Sequence, residues 1–148
     1  MIRASEHQAL IHVLLERYGL PADCVEIVPD VRAWCLQRRI AAPKMKSERA
    51  AVSFSRGDSC AIVLRDEQTD RMIHSAKQLM ELFGGYGKEV AELKDDVAYL
   101  AHLVLHEIAY FKLKTTKQDP RDKWAFQQLP GALAAARASS QSFSGSRL

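Results

Sequence analysis

The chain has 148 residues, 47% of them apolar and 26% charged, with a formal net charge of +3. That size suits one domain with a real core, and that balance excludes a disordered or fibrous chain. The charge is too small to argue for nucleic acid or an anionic membrane, whose dedicated binders concentrate far more positive charge on one face.

Residues 1–7 carry no apolar run behind a basic start, so no secretory signal is read. No stretch reaches the roughly 18 apolar residues of a membrane span, and a cytoplasmic protein is expected. Ser5 can cap a helix over residues 6–18, with Ala9, Leu10, Val13, Leu14 and the stem of Arg17 along one stripe. Gly19 and Pro21 stop it. Residues 24–28 are short, β-branched and bounded by prolines, which predicts a strand. Asp30 caps a second helix, 31–39, whose inward side holds Val31, Trp34 and Cys35. Residues 50–55 alternate, with Val52 and Phe54 on one face, and 60–64 are continuously apolar. Arg56-Gly57-Asp58-Ser59 between them supplies the turn of a hairpin. Met72, Ile73, Ala76, Leu79, Met80 and Phe83 recur at helical spacing until Gly84-Gly85. From 97 to 111 twelve of fifteen residues are apolar, the exceptions being His102, His106 and Glu107, so this helix is expected at the centre of the fold. A last helix is predicted over 121–129, with Pro120 in its first turn and Pro130-Gly131 ending it. Another turn over 132–137 and a frayed, serine-rich tail from 139 to 148 follow. Cys24, Cys35 and Cys60 are odd in number and lack close spacing, so they read as reduced, mostly buried thiols.

The chemistry concentrates on the central helix. His106-Glu107-Ile108-Ala109-Tyr110 begins as the zincin motif His-Glu-x-x-His begins, in which two histidines one turn apart bind zinc and the glutamate acts on the metal-bound water. Here Tyr110 stands where the second histidine would be. Asp122-Lys123-Trp124-Ala125-Phe126 follows with an acidic-aromatic-alanine pattern. Over roughly residues 50–129 the motifs and the element order resemble the ImmA/IrrE-type metallopeptidases. That resemblance implies a zincin-like fold and a third zinc ligand four residues before Asp122, where this chain has Gln118. By this match His106 and the general base Glu107 remain, and Tyr110 and Gln118 line a remnant pocket. One imidazole, an amide and a phenol would hold zinc poorly, and zinc hydrolysis depends on lowering the pKa of bound water from about 15.7 to about 7.

Another arrangement keeps a metal. His102 lies one turn before His106, and Asp119 or Asp122 could complete a shifted zinc site. Glu107 either meets Lys114 or Lys123 at a solvent edge, or lines the pocket with His106 and Tyr110. The sharpest charge asymmetry is Arg32, Arg38, Arg39, Lys44, Lys46 and Arg49, opposed by Glu48 alone. Such a cluster is either a solvated face or a contact for a partner, including phosphates.

Together these readings predict an α+β domain over 1–138, a small antiparallel sheet packed on a central helix, zincin-like, with a flexible tail over 139–148. The expected function is that of a non-catalytic regulator or inhibitor, of the kind phages and other mobile elements carry, which binds a protein partner without a cofactor. The alternatives are a zinc metallopeptidase rebuilt on His102, His106 and an aspartate with Glu107 as base, and a nucleic-acid binder using the basic segment.

Overall fold

A computed structural model describes residues 1–40, 45–46, 48–56 and 59–145. In order they form β1 (Ile2–Arg3), α1 (Gln8–Arg17), β2 (Val25–Val28), α2 (Val31–Gln37), β3 (Ala51–Arg56), β4 (Ser59–Arg65) and β5 (Glu67–Gln68). Four helices follow: α3 (Asp70–Leu82), α4 (Gly87–Ala91), α5 (Asp96–Leu113) and α6 (Gln118–Gly145). The mixture is α+β, as expected, with helices from residue 70 onward packed on small sheets.

The predicted hairpin is present, with β3 and β4 antiparallel and Val52 opposite Val63. The sheet is not purely antiparallel, however. Its order is β2-β4-β3, and β2 runs parallel to β4 with Val25 opposite Ile62. The chain crosses over through α2, since parallel neighbours cannot be joined by a tight turn. A separate antiparallel pair joins β1 to β5, Ile2 opposite Gln68.

Alternation along β4 separates two apolar clusters. Ile62 and Leu64 face the main core with Leu100, Val104, Leu105 and Ile108 of α5. Val63 points the other way, to Val31 and Cys35 of α2, where Trp34, Val52 and Phe54 also pack. The three-stranded sheet thus lies between α2 and α5, because successive strand residues point to opposite faces.

α5 is the central helix that its composition predicts: eleven of its residues are buried, His102, His106 and Glu107 among them. Asp95 caps it by accepting from the Ala98 amide at 2.8 Å. Asp30 caps α2 in the same way through Ala33. The inward face of α1 differs from the expected stripe: Ile11, Leu14 and Leu15 are buried, while Ala9 is exposed. α6 begins before 121 and does not stop at Pro130. It continues with Pro130 inside it, seats Leu129 and Ala132 in the core, and runs to Gly145 through residues expected in the tail. Cys24 and Cys60 are not separate thiols. They flank the β2–β4 pairing with Cα atoms 5.5 Å apart and are disulfide-bonded, leaving Cys35 as the free, buried cysteine. No helix among the described residues is long and apolar enough to cross a membrane.

Candidate functional site

α5 and α6 are antiparallel neighbours across a short connection, which Lys114 opens in the left-handed conformation (φ +51°). In such a hairpin, residues equidistant from the turn face each other. His106 meets Asp122, Glu107 meets Arg121, and His102 meets Phe126.

The first pairing builds a His–Asp–His cluster. His106 Nδ1 lies 2.8 Å from Asp122 Oδ1, and His102 Nε2 approaches the same oxygen at 3.4 Å, a longer and weaker contact. The His102 ring stacks on Phe126 at 4.1 Å between centroids. Burial of His102 lowers its pKa, outweighing the pull of Asp122 in the other direction. Burial raises the Asp122 carboxyl, but the hydrogen bonds from both imidazoles bring it down to about 2. The carboxylate is therefore ionised and can only accept. His102 Nε2 and His106 Nδ1 are then the protonated nitrogens. His102 Nδ1, a lone-pair acceptor in the neutral ring, is buried without a partner.

The second pairing takes Glu107 out of that cluster. Its carboxylate accepts from Arg121 Nη2 at 3.0 Å and from the Ser53 hydroxyl on β3, while Arg121 Nε donates to the His106 carbonyl at 3.0 Å. Both side chains of the ion pair are about 95% buried, at 6% and 5% exposure. Glu107 thus meets neither Lys114 nor Lys123, and it does not share the His106 site. It ties α5, α6 and β3 together. Tyr110 is half-buried, its ring 5.8 Å from the Arg121 guanidinium, and it lies on the Glu107 side.

The His–Asp–His cluster forms part of the wall of a cavity of about 530 Å³ between α3, α5 and α6, within the roughly 300–1,000 Å³ usual for ligand sites. Gln118 and Asp119 line it at the start of α6. Asp119 does not join the histidines; it accepts from the Tyr86 hydroxyl at 2.8 Å. Most of the wall is apolar, with Met80, Phe83 and Leu103 prominent. At its rim, the end of α3 departs from the expected inward pattern: Leu79 is 55% exposed and Phe83 83%, and neighbouring Leu82 is 76% exposed. Sequence periodicity could not flag this, because it ranks faces by hydropathy and does not show whether a neighbouring helix covers them.

The zinc site implied by the resemblance requires its glutamate beside the metal and three ligands around one point. Two imidazoles and a carboxylate are suitable donor types, but in this arrangement both ring N–H groups are spent on one Asp122 oxygen and Glu107 faces away. No group of three His, Cys, Asp or Glu among the described residues is arranged to hold a metal ion. The residues as placed do not fit a zincin centre.

The basic segment lies elsewhere. Arg32, Arg38 and Arg39 belong to α2 and its end, in the layer across the sheet from α5. Arg38 stacks on Trp34 at 4.0 Å and donates to its carbonyl, Arg39 takes φ +56°, and Arg49 Nε donates to the Ala51 carbonyl. Lys46 is exposed, and Lys44 lies outside the described residues. Comparison with known proteins finds no matching family model, no matching curated protein and no matching solved structure.

Proposed function

We propose that this chain is a non-catalytic, zincin-like protein that works by binding a protein partner, as a regulator or inhibitor, and that the partner docks over the cavity between α3, α5 and α6. The observation that carries the reading is the set of three large apolar side chains left in solvent at a mostly apolar cavity, Leu79 and Phe83 lining it and Leu82 next to them in sequence. Isolated exposed apolar residues need no explanation, but a contiguous apolar patch marks an interaction site. Covering Leu82 and Phe83 would contribute about 1.5–3 kcal/mol each. The non-catalytic part of the reading is supported by Glu107, the residue with a zincin base's sequence context, being held by Arg121 and Ser53 away from the cavity.

A second reading, a metallopeptidase rebuilt on His102, His106 and Asp122, is favoured by the convergence of both imidazoles on one carboxylate. It would need Asp122 to turn and free a point shared by three ligands, and it would need a base other than Glu107.

The test is capture of a partner from cell extract by the immobilised protein, with Leu82→Ser/Phe83→Ser and Glu107→Gln compared at equal folded concentration. The double variant should weaken capture by at least about tenfold, as loss of 1.4 kcal/mol or more requires, while Glu107→Gln retains it. Equal capture by the double variant would remove the docking surface from the account.

A further inference from the structure

The charges of the cavity are of one sign. Among the described residues that line it, the charged side chains are Asp119 and Asp122, and none is Lys or Arg. Asp119 lies in the first turn of α6, where the helix dipole favours the ionised carboxylate, and Asp122 follows one turn on. Asp122 uses Oδ1 for both histidines, and Asp119 uses Oδ1 for Tyr86. Each carboxylate therefore keeps acceptor capacity, since two oxygens offer about four lone-pair sites. The imidazoles add to the same inventory. His106 turns its Nδ1 to Asp122, which leaves Nε2 as the ring nitrogen not engaged there. His102, 97% buried, has an Nδ1 acceptor with no partner, and a buried polar group left unpaired is unfavourable.

An apolar cavity that offers acceptors and negative charge disfavours an acidic occupant and suits one that brings donors and positive charge. From this, and resting on the docking reading above, we infer that the docked segment is basic as well as apolar: a large apolar side chain enters beside Leu103 and Phe83, and a neighbouring lysine ammonium reaches Asp119 and Asp122. The ammonium brings three donors and a positive charge, and the described lining residues supply no Lys or Arg of their own. Charge complementarity of this kind contributes to specificity and to association rate more than to raw affinity, so the discrimination should be strongest at low salt.

Fluorescein-labelled octapeptides carrying one Phe and one Leu flanked by Lys, Gln or Glu test this by fluorescence polarisation. Nile red serves as a neutral reporter of the cavity. The Lys peptide should bind at least about tenfold more tightly than the Glu peptide in low salt. The preference should shrink in 0.5 M NaCl and in Asp119→Asn, whose substitution leaves the His–Asp–His cluster intact, and it should vanish in Asp119→Asn/Asp122→Asn. Equal binding of the Lys and Glu peptides, or a preference that the double variant keeps, overturns the inference. So does zinc chloride that binds one-to-one and displaces the Lys peptide, since the acceptors would then serve a metal. If Nile red binds wild type and the charge preference fails, only this inference falls; if neither Nile red nor any peptide binds, the docking reading falls with it.

Discussion

At the scale of single residues, Glu107 is held in a buried ion pair with Arg121. A carboxylate this buried needs a cation, and Arg121 supplies it. Removing one partner of a buried ion pair typically costs about 3–5 kcal/mol, so Glu107→Ala should lower unfolding free energy in urea by that order; little change would show the pair to be dispensable. The histidines give a pH signature. His102 has a lowered pKa in the folded chain, so the unfolded state takes the proton first. Its contribution is complete above about pH 6.5 and is lost as pH falls below that. Asp122, held at about 2, contributes fully above about pH 3.9 and loses that contribution as pH falls through its folded value. Thermal melts should show Tm dropping between pH 7 and 5, with a smaller drop in His102→Gln, and a second fall below pH 4. Helical spacing places His102 and His106 on one face, but the sequence leaves Asp119 and Asp122 as alternative partners; the structure puts Asp122 at the histidines and Asp119 at Tyr86. The sequence misses Arg121, whose role follows only from the register of the α5–α6 hairpin.

At the scale of elements, legibility followed the strength of local chemistry. α5 is apolar nearly all round and could sit nowhere but the centre; the β3–β4 hairpin has alternation and a turn. The parallel pairing of β2 with β4 was not legible, since nothing local in residues 25–28 states which strand lies beside them. α6 defied its Pro130-Gly131 stop because the residues beyond keep a face for the core: Ala132 is fully buried. The proline removes one backbone hydrogen bond and costs on the order of 3 kcal/mol relative to alanine in a helix interior. Pro130→Ala should therefore raise Tm, and a fall would show that the proline fits a bend the helix requires. At the other end of the hairpin, Asp95→Ala removes the α5 cap and should cost about 1 kcal/mol in the same urea titration.

At the scale of the whole molecule, the sheet divides two surfaces that the sequence could not place relative to each other. The α2 layer carries Arg32, Arg38 and Arg39, while the cavity and its exposed apolar neighbours lie among α3, α5 and α6. Arg38→Ala/Arg39→Ala should therefore leave partner capture through the cavity unchanged, and a loss would move the interface to the basic face. The central claim is that the His–Asp–His cluster serves a binding cavity and not a metal-dependent hydrolase. Its most direct test is the metal content of the purified, untagged protein after exposure to zinc, by mass spectrometry, beside His106→Ala. The account predicts no zinc that depends on His106; about one zinc per chain in wild type, lost in His106→Ala, would contradict it.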